Sequence, residues 1–284
     1  MAVFFNQATL SYNNNVTNSN IVTGEVLGTL SISKTSLGTE YTRGEDLVYA
    51  ISIVNSGATA FTGVTVTDDL GTYTIGTGTA TPLAYVDGSA VLYVNGVLQA
   101  SPTVTAEPIL VVSGLNIPAG GNALLLYRAI PTAFAPLEVG STITNIATAT
   151  GGGIGTPVSD SNTVTVIEEP VLTISKALSP TTVVENGTIV YTFVIENTGN
   201  TAAVATDNLV VSDSFDPILS GLSVSLDGVA LSAPADYTYD EATGQFATMA
   251  GRITVPAATY TQDPTTGAVS VTPGVAILRV TGTV

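Results

Sequence analysis

The sequence is dominated by an internal repeat, which starts at Leu30 and again at Leu172. Residues 30–34 read Leu-Ser-Ile-Ser-Lys, and residues 172–176 read Leu-Thr-Ile-Ser-Lys. Later matches keep the same order: residues 54–57 (Val-Asn-Ser-Gly) match 196–199 (Glu-Asn-Thr-Gly), 66–68 (Val-Thr-Asp) match 211–213 (Val-Ser-Asp), 115–119 (Leu-Asn-Ile-Pro-Ala) match 253–257 (Ile-Thr-Val-Pro-Ala), and 123–125 (Ala-Leu-Leu) match 276–278 (Ala-Ile-Leu). A repeat of this length is a structural unit, so a chain of 284 residues predicts two similar domains.

The two copies differ at their ends. The first copy continues through residues 143–149 (Ile-Thr-Asn-Ile-Ala-Thr-Ala) and 161–166 (Ser-Asn-Thr-Val-Thr-Val), whereas the second reaches residue 284 without them. Similar patterns stand at the N-terminal end, at 6–10 (Asn-Gln-Ala-Thr-Leu) and 19–23 (Ser-Asn-Ile-Val-Thr). We therefore predict an N-terminal donor β-hairpin at 1–27, a complete domain at 28–167 and an incomplete acceptor domain at 168–284.

The repeated segments alternate apolar and polar residues with period two, between clusters of Gly, Pro, Asn and Asp. This pattern is typical of half-buried strands. The sequence therefore predicts an all-β protein with almost no helix, built of two tandem immunoglobulin-like β-sandwich domains, the second completed by the hairpin of another subunit.

Composition excludes several classes of function. The chain has no His and no Cys, which removes the common nucleophile pairs, the usual zinc sites and disulfides. With 22 acidic and only 6 basic residues it is a poor partner for nucleic acid, and no apolar run is long enough to cross a membrane as a helix. Residues 1–6 lack the features of a signal peptide. We therefore expect either that the protein is exported by another route or that this sequence begins after a signal peptide that has been removed. We expect no cofactor, no metal and no enzyme activity beyond single-turnover crosslinking of the chain itself.

A sandwich without its last two strands exposes an unpaired sheet edge, which is a template for another strand. The hairpin has a suitable pattern, because Phe4, Asn6, Ala8 and Leu10 share one face in an extended strand, and Asn20 and Val22 share a face in the second strand. The linker 24–27 spans only roughly 15 Å, less than the length of a sandwich, which favours insertion into the next subunit and an open filament. The alternative is that residues 1–27 are a leader or the remnant of a preceding repeat.

The only two lysines of the chain, Lys34 and Lys176, occupy the same position of the repeat, at the end of an inward-facing pattern. Burial lowers the pKa of an amine and populates its neutral, nucleophilic form, for which an Asn carboxamide on a neighbouring strand is an electrophile. The alternative is that both lysines reach the sheet edge and form salt bridges with Asp68 and Asp213. In that case Asn145 and Asn6 are ordinary strand residues.

The Leu-x-Ile-x-Lys start, the Tyr-x-Ile-x-Val-x-Asn-x-Gly strand, the Val-x-Asp turn and the Asn-x-Ala-Thr end resemble the conserved-repeat domain of bacterial surface proteins, long labelled a domain of unknown function. The resemblance implies extracellular stalks or fibres built of sandwich domains, some of which carry spontaneous Lys-Asn isopeptide bonds. By position it implies Lys34, Asn145 and Asp68 as one crosslinking trio. The second trio would be Lys176, Asp213 and Asn6 of the next subunit, and the two aspartates would shuttle protons.

These observations favour a structural subunit of an extracellular filament on a bacterial cell or spore surface, with itself as its partner. The alternative is a surface adhesin or glycan-binding module, which would be a stable monomer with a ligand on a host or a neighbouring cell. A carboxylate-dependent hydrolase is a third, weaker hypothesis, because no pair of acidic residues stands out by spacing.

Overall fold

The computed structural model describes residues 2–26, 29–106 and 108–284, and for residues 2, 3, 25 and 26 it describes the backbone only. The prediction of an all-β protein is confirmed, and the single helical element in these ranges is a 3-10 turn at Ala205–Asp207. None of the described residues forms a helix long and apolar enough to span a membrane. The chain folds into two compact units, the first reaching Ala135 and including Ile143–Val164, and the second formed by Pro136–Thr142 and Thr165–Val284.

The N-terminal segment is a long hairpin of four short strands: β1 (Ala2–Asn6), β2 (Thr9–Tyr12), β3 (Asn15–Asn18) and β4 (Val22–Val26). β1 pairs with β4 and β2 with β3, both antiparallel. The side chains of residues 4–23 are exposed, including the apolar Phe4, Phe5, Leu10, Ile21 and Val22. Within residues 4–23, the hairpin therefore exposes apolar side chains on its surface.

The first unit contains two large sheets. Its strands, in chain order, are β5 (Leu30–Ser36), β6 (Glu40–Tyr41), β7 (Leu47–Asn55), β8 (Phe61–Asp68), β9 (Tyr73–Ile75), β10 (Gly78–Ala80), β11 (Leu83–Tyr85), β12 (Val91–Val94), β13 (Val97–Leu98), β14 (Thr103–Thr105), β15 (Leu110–Ile117), β16 (Asn122–Pro131), β17 (Thr142–Gly151) and β18 (Val158–Val166). One sheet has the order β13-β12-β16-β7-β5, with β11 also on β16, and the other has the order β14-β15-β8-β17-β18-β6.

The alternating sequence places one face of each central strand in the core. In β7, Tyr49, Ile51 and Ile53 are fully buried while their neighbours are partly exposed. β17 buries Ile143, Asn145, Ala147 and Ala149 by the same alternation. The period-two pattern in the sequence therefore identifies both the strands and their inward faces.

The second unit repeats this arrangement with fewer strands. They are β19 (Leu172–Ser179), β20 (Thr188–Asn197), β21 (Ser212–Ser214), β22 (Ser220–Leu226), β23 (Val229–Leu231), β24 (Tyr237–Asp240), β25 (Gln245–Thr248), β26 (Thr259–Gln262), β27 (Val269–Thr272) and β28 (Gly274–Thr283). The sheet β19-β20-β28-β22-β23 has the order of β5-β7-β16-β12-β13. The other sheet, β21-β25-β24, corresponds to β8-β15-β14 and, among the described residues, ends at β21.

The Asn-x-Gly motif at the end of β7 and β20 is a structural feature of both domains. The buried Asn55 side chain donates to the carbonyl oxygens of Thr59 (2.8 Å) and Pro118 (2.9 Å), and its own oxygen accepts from the Gly57 amide (2.9 Å). Asn197 makes the matching contacts to Thr201 (2.7 Å), Pro256 (3.0 Å) and Gly199 (2.9 Å). These two asparagines therefore fix loops and are not free to react with the lysines.

Candidate crosslink sites and the open sheet edge

The first predicted trio is brought together inside the first domain. Lys34 lies on β5, Asp68 at the end of β8 and Asn145 on β17, and they are 3%, 1% and 0% exposed. The Lys34 ammonium forms an ion pair with Asp68 Oδ2, and its Nζ lies 4.9 Å from the centre of the Tyr49 ring. The salt bridge that the alternative predicts is therefore present, but Lys34 does not reach the sheet edge, because its side chain is completely enclosed.

Tyr127, on β16, lies at the centre of this site. Its hydroxyl donates to Asp68 Oδ2 at 2.6 Å and accepts from Lys34 Nζ at 3.2 Å and from Asn145 Nδ2 at 3.1 Å. A phenol has one donor and two acceptor positions, and all three are occupied here. The amine and the carboxamide that would react are therefore held against the same oxygen atom.

The carbonyl oxygen of the Asn145 side chain is buried and meets no donor at hydrogen-bonding geometry among the described residues. The Tyr49 hydroxyl also has no partner at that geometry among these residues. Burial raises its pKa, and the Asn145 side chain is close enough to oppose that rise in part by hydrogen bonding. A buried carbonyl without a donor is costly in a folded protein. The Asn145 amide is thus the least satisfied polar group of the trio, which fits a group that reacts.

Burial dominates the ionisation of this site. It lowers the pKa of Lys34, and Asp68, followed by Asp69 and Asp160, only partly opposes that effect. Burial, and next the charge of Asp68, raise the pKa of Tyr127 well above its usual value. The site therefore favours a neutral amine and a neutral phenol more than water does.

The second predicted site is only partly assembled. Lys176, on β19, forms an ion pair with Asp213 of β21, but its side chain is 41% exposed. Its Nζ lies over three aromatic rings, at 4.5 Å from Tyr191, 5.5 Å from Phe193 and 5.5 Å from Phe215. Cation–π contacts of this kind attract the ammonium to the rings.

The cause of this exposure is the missing edge of the second domain. In the first domain, β17 pairs with β8, with Ala147 opposite Asp68, and β18 lies next to β17. In addition, Asp160 on β18 accepts a hydrogen bond from the Lys34 amide at 2.7 Å. In the part of the chain that the structure describes, no equivalent strands join the sheet β21-β25-β24, and every residue of β19 is exposed, including Leu172 (37%), Ile174 (57%) and Leu178 (37%).

Asn6, the third member of the second predicted trio, lies on β1 with an exposed side chain. Its pairing with Lys176 concerns a second copy of the chain and stays a prediction. The remaining predicted donor residues, Phe4, Ala8, Leu10, Asn20 and Val22, are exposed as well.

The register of the isolated hairpin differs from the register that the motifs imply. Asn6 lies opposite Val22, and the register changes by one residue before Thr9 lies opposite Asn18. In the first domain the Thr144 hydroxyl contacts that of Thr163 at 2.9 Å, and Thr148 contacts Ser159, which places Asn145 level with Asn162. Matching both motifs at once would need Asn6 opposite Asn20, so one hairpin strand must shift by two residues during such an insertion.

In a chain that carries Asn145→Ala and so cannot form the proposed crosslink, replacing Asp68 with Ala should destabilise the first domain by about 3–5 kcal/mol, because Lys34 would stay buried without its counter-ion. The matched change Asp213→Ala should cost the second domain at most about 1 kcal/mol, since the exposed Lys176 keeps contact with water. Urea unfolding of both variants measures the difference. If both variants lose the same free energy of unfolding, the difference in burial between Lys34 and Lys176 does not determine the strength of the two ion pairs.

The first domain should lose stability above about pH 10, the usual pKa of tyrosine. Burial raises the pKa of Tyr41, Tyr49 and Tyr127, so the folded state keeps protons that the unfolded state releases, and the free energy of unfolding falls as the pH rises. Urea unfolding at several alkaline pH values should show this slope, and Tyr49→Phe should reduce it. Tyr12→Phe, on the exposed hairpin, is the control, and a stability that rises in this range would contradict the prediction.

No protein-family model matches the chain, and a search of curated proteins finds no match, so the resemblance to the conserved-repeat family stays a prediction. Among solved structures, the chain is similar to a variant of BcpA, the major pilin subunit of Bacillus cereus, with 11% identity over 94% of this chain and 70% of that chain and a TM-score of 0.39. It is also similar to RrgB, the pilus backbone from Streptococcus pneumoniae (14% identity, 86% and 55% covered, TM-score 0.33), and to the collagen-binding domain of the Erysipelothrix rhusiopathiae surface protein RspB (18% identity, 58% and 60% covered, TM-score 0.27). At these values the likenesses carry no functional inference, and we base the function on the residues of this chain.

Proposed function

We propose that the protein is the repeating subunit of an extracellular bacterial filament, on a cell or spore surface, which assembles head to tail by donation of the N-terminal hairpin. The observation that carries the proposal is the open edge of the second domain. Among the described residues its sheet ends at β21, where the first domain continues into β17 and β18, and the motifs of those two strands recur in the hairpin.

The two incomplete surfaces of the chain are complementary in chemistry. β19 exposes Leu172, Ile174 and Leu178, and the hairpin exposes Phe4 (53%), Leu10 (61%) and Val22 (54%). Burying apolar surface is favourable by about 25 cal/mol per Å², and the added strand also pairs the free backbone groups of β21. A strand inserted from another copy therefore removes two unfavourable surfaces at once.

Donation between copies gives a polymer because each chain has one donor and one acceptor. The last hairpin strand ends at Val26 and β5 begins at Leu30, so only a short connection ties the hairpin to its own first domain. A head-to-tail contact of this kind continues indefinitely unless the chain of contacts closes into a ring. The product is a filament in which every internal second domain is complete.

The same insertion would complete the second crosslinking site. In the first domain the proposed reaction joins Lys34 Nζ to Cγ of Asn145 and releases ammonia from the carboxamide. In the assembled filament Asn6 would take the position of Asn145 beside Lys176, and the hairpin would cover the exposed ammonium. Each junction would then carry one covalent bond without any cysteine.

A synthetic peptide of residues 1–26 tests the donation step. Added to a chain that lacks these residues, it should bind and raise the unfolding temperature of the second domain, because a ligand of the folded state stabilises it by mass action. A peptide with Leu10→Asp is the matched control and should not bind. If the native peptide leaves the second domain unchanged, the hairpin is not its missing strand pair, and the adhesin hypothesis of a stable monomer gains support.

A further inference from the structure

We infer that Tyr127 is a catalytic residue of the first domain, which carries a proton from Asp68 to the leaving nitrogen of Asn145 while Lys34 attacks. The inference rests on the proposed crosslink. Sequence comparison of the two repeats does not point to this residue, because the matching position in the second domain is Val280.

The geometry gives Tyr127 a role that the predicted trio cannot fill alone. Asp68 forms an ion pair with Lys34 and is therefore placed to take a proton from the ammonium. The described contacts include no hydrogen bond between Asp68 and Asn145, so the carboxylate has no direct route to the leaving nitrogen. The Tyr127 hydroxyl closes this gap, since it donates to Asp68 at 2.6 Å and accepts from Asn145 Nδ2 at 3.1 Å.

The proposed step balances. A proton moves from the Lys34 ammonium to the Asp68 carboxylate, and the neutral amine then forms a bond to Cγ of Asn145. The Asp68 proton passes to the phenol oxygen while the phenol gives its own proton to Nδ2. The bond from Cγ to Nδ2 breaks and ammonia leaves, and it takes up the second proton lost by Nζ, so that ammonium departs and Asp68 ends as a carboxylate.

Burial suits the phenol for this task. The pKa of Tyr127 is raised, mainly by burial, so the hydroxyl keeps its proton and passes one on only as it receives another. Its ring stacks on Tyr49 at a centroid distance of 5.5 Å, which fixes the position of the hydroxyl. The group is therefore held rigidly between the atoms that exchange protons.

The second domain offers an internal comparison. Val280 lies opposite Tyr191 on the neighbouring strand, as Tyr127 lies opposite Tyr49, and it has no hydroxyl. Phe215 stacks on Tyr191 in this domain, at 4.9 Å. The second site therefore lacks the relay, and we expect the bond inside the first domain to form before the bond at a junction.

The test is the rate of crosslink formation in the full-length chain. Protein from a short cell-free synthesis is sampled over time in denaturing acid, and the peptide joining Lys34 to Asn145 is quantified by mass spectrometry. Tyr127→Phe should slow the reaction by about 100-fold or more, the usual contribution of a positioned proton-transfer group. Tyr85→Phe is the matched control, because its hydroxyl accepts from the Ala90 amide and its ring packs against Tyr127 without reaching the trio.

A Tyr127→Phe chain that forms the bond at the wild-type rate would overturn the relay. A wild-type chain that never forms the bond would overturn the crosslink itself, and this outcome is distinct because the loss of ammonia is then absent in both proteins. Should Tyr127→Phe fail to fold, the wild-type rate in mixtures of water and deuterium oxide decides. If the rate of crosslink formation depends on the deuterium fraction along a curve, two protons move in the rate-limiting step, which supports the relay. If the rate does not depend on the deuterium fraction, the relay is contradicted.

Discussion

Deletion of residues 1–26 should abolish filament formation and leave a monomer whose first domain is intact. These residues supply the only strand pair in the sequence that matches β17 and β18 in order and spacing, and without them the edge at β21 has no partner. The deleted chain should act as a chain terminator when mixed with the full-length protein, since it can accept a hairpin and cannot donate one. Electron microscopy and light scattering measure both effects.

Two point variants separate donation from a general loss of apolar surface. Leu10→Asp places a charge on the hairpin face that is expected to enter the core, and it should prevent assembly. Val97→Ser removes an equally exposed apolar side chain (63%) from β13 of the first domain and should have no effect. If the deleted chain still forms filaments, polymerisation uses another surface and strand donation is wrong.

The second large effect is expected for Asn145→Ala, which removes the proposed electrophile of the first domain while keeping the ion pair of Lys34 and Asp68. The wild-type chain should weigh about 17 Da less than its sequence for each bond formed, and the variant should keep the full mass at this site. A crosslink from residue 34 to residue 145 closes a loop of about 110 residues, for which chain entropy predicts a stabilisation of about 4–5 kcal/mol. Intact mass and urea unfolding measure the two consequences.

Asn162→Ala is the control for Asn145→Ala, because Asn162 lies level with it on the neighbouring strand β18 but outside the trio. It should show the wild-type mass loss and only a small change in stability. If Asn145→Ala and the wild type both have the full sequence mass, Lys34 and Asp68 form a buried ion pair and nothing more.

The repeat explains why so much of the fold could be predicted from the sequence. Two copies with the same period-two pattern identify the strands, and the shared lysine, Val-x-Asp turn and Asn-x-Gly loop fix equivalent positions. The structure places Lys34 and Asp68 in an ion pair and links Asn145 to both through the Tyr127 hydroxyl, because all three predicted residues stand at inward positions of strands that border the same part of the core.

The rest of the site depends on features that the two copies do not share, so comparison of the repeats cannot predict them. Tyr127 differs from Val280 in the second copy, so a search for shared residues passes over it. Asp160 contacts the Lys34 backbone only because β18 closes against β5, a contact between sheets that alternation does not encode. The register of the hairpin changes between positions 6 and 9: Asn6 lies opposite Val22, whereas Thr9 lies opposite Asn18. Neither a Gly nor a turn motif marks this change in the sequence.

Peptide mapping of boiled, assembled material tests the central proposal most directly. Filaments are denatured, the species that resist boiling are isolated, and their proteolytic peptides are sequenced by mass spectrometry. We predict a branched peptide in which Lys176 of one chain is joined to Asn6 of another with the loss of ammonia, about 17 Da. Filaments that dissolve completely into chains with an unmodified hairpin and an unmodified Lys176 would contradict the covalent junction.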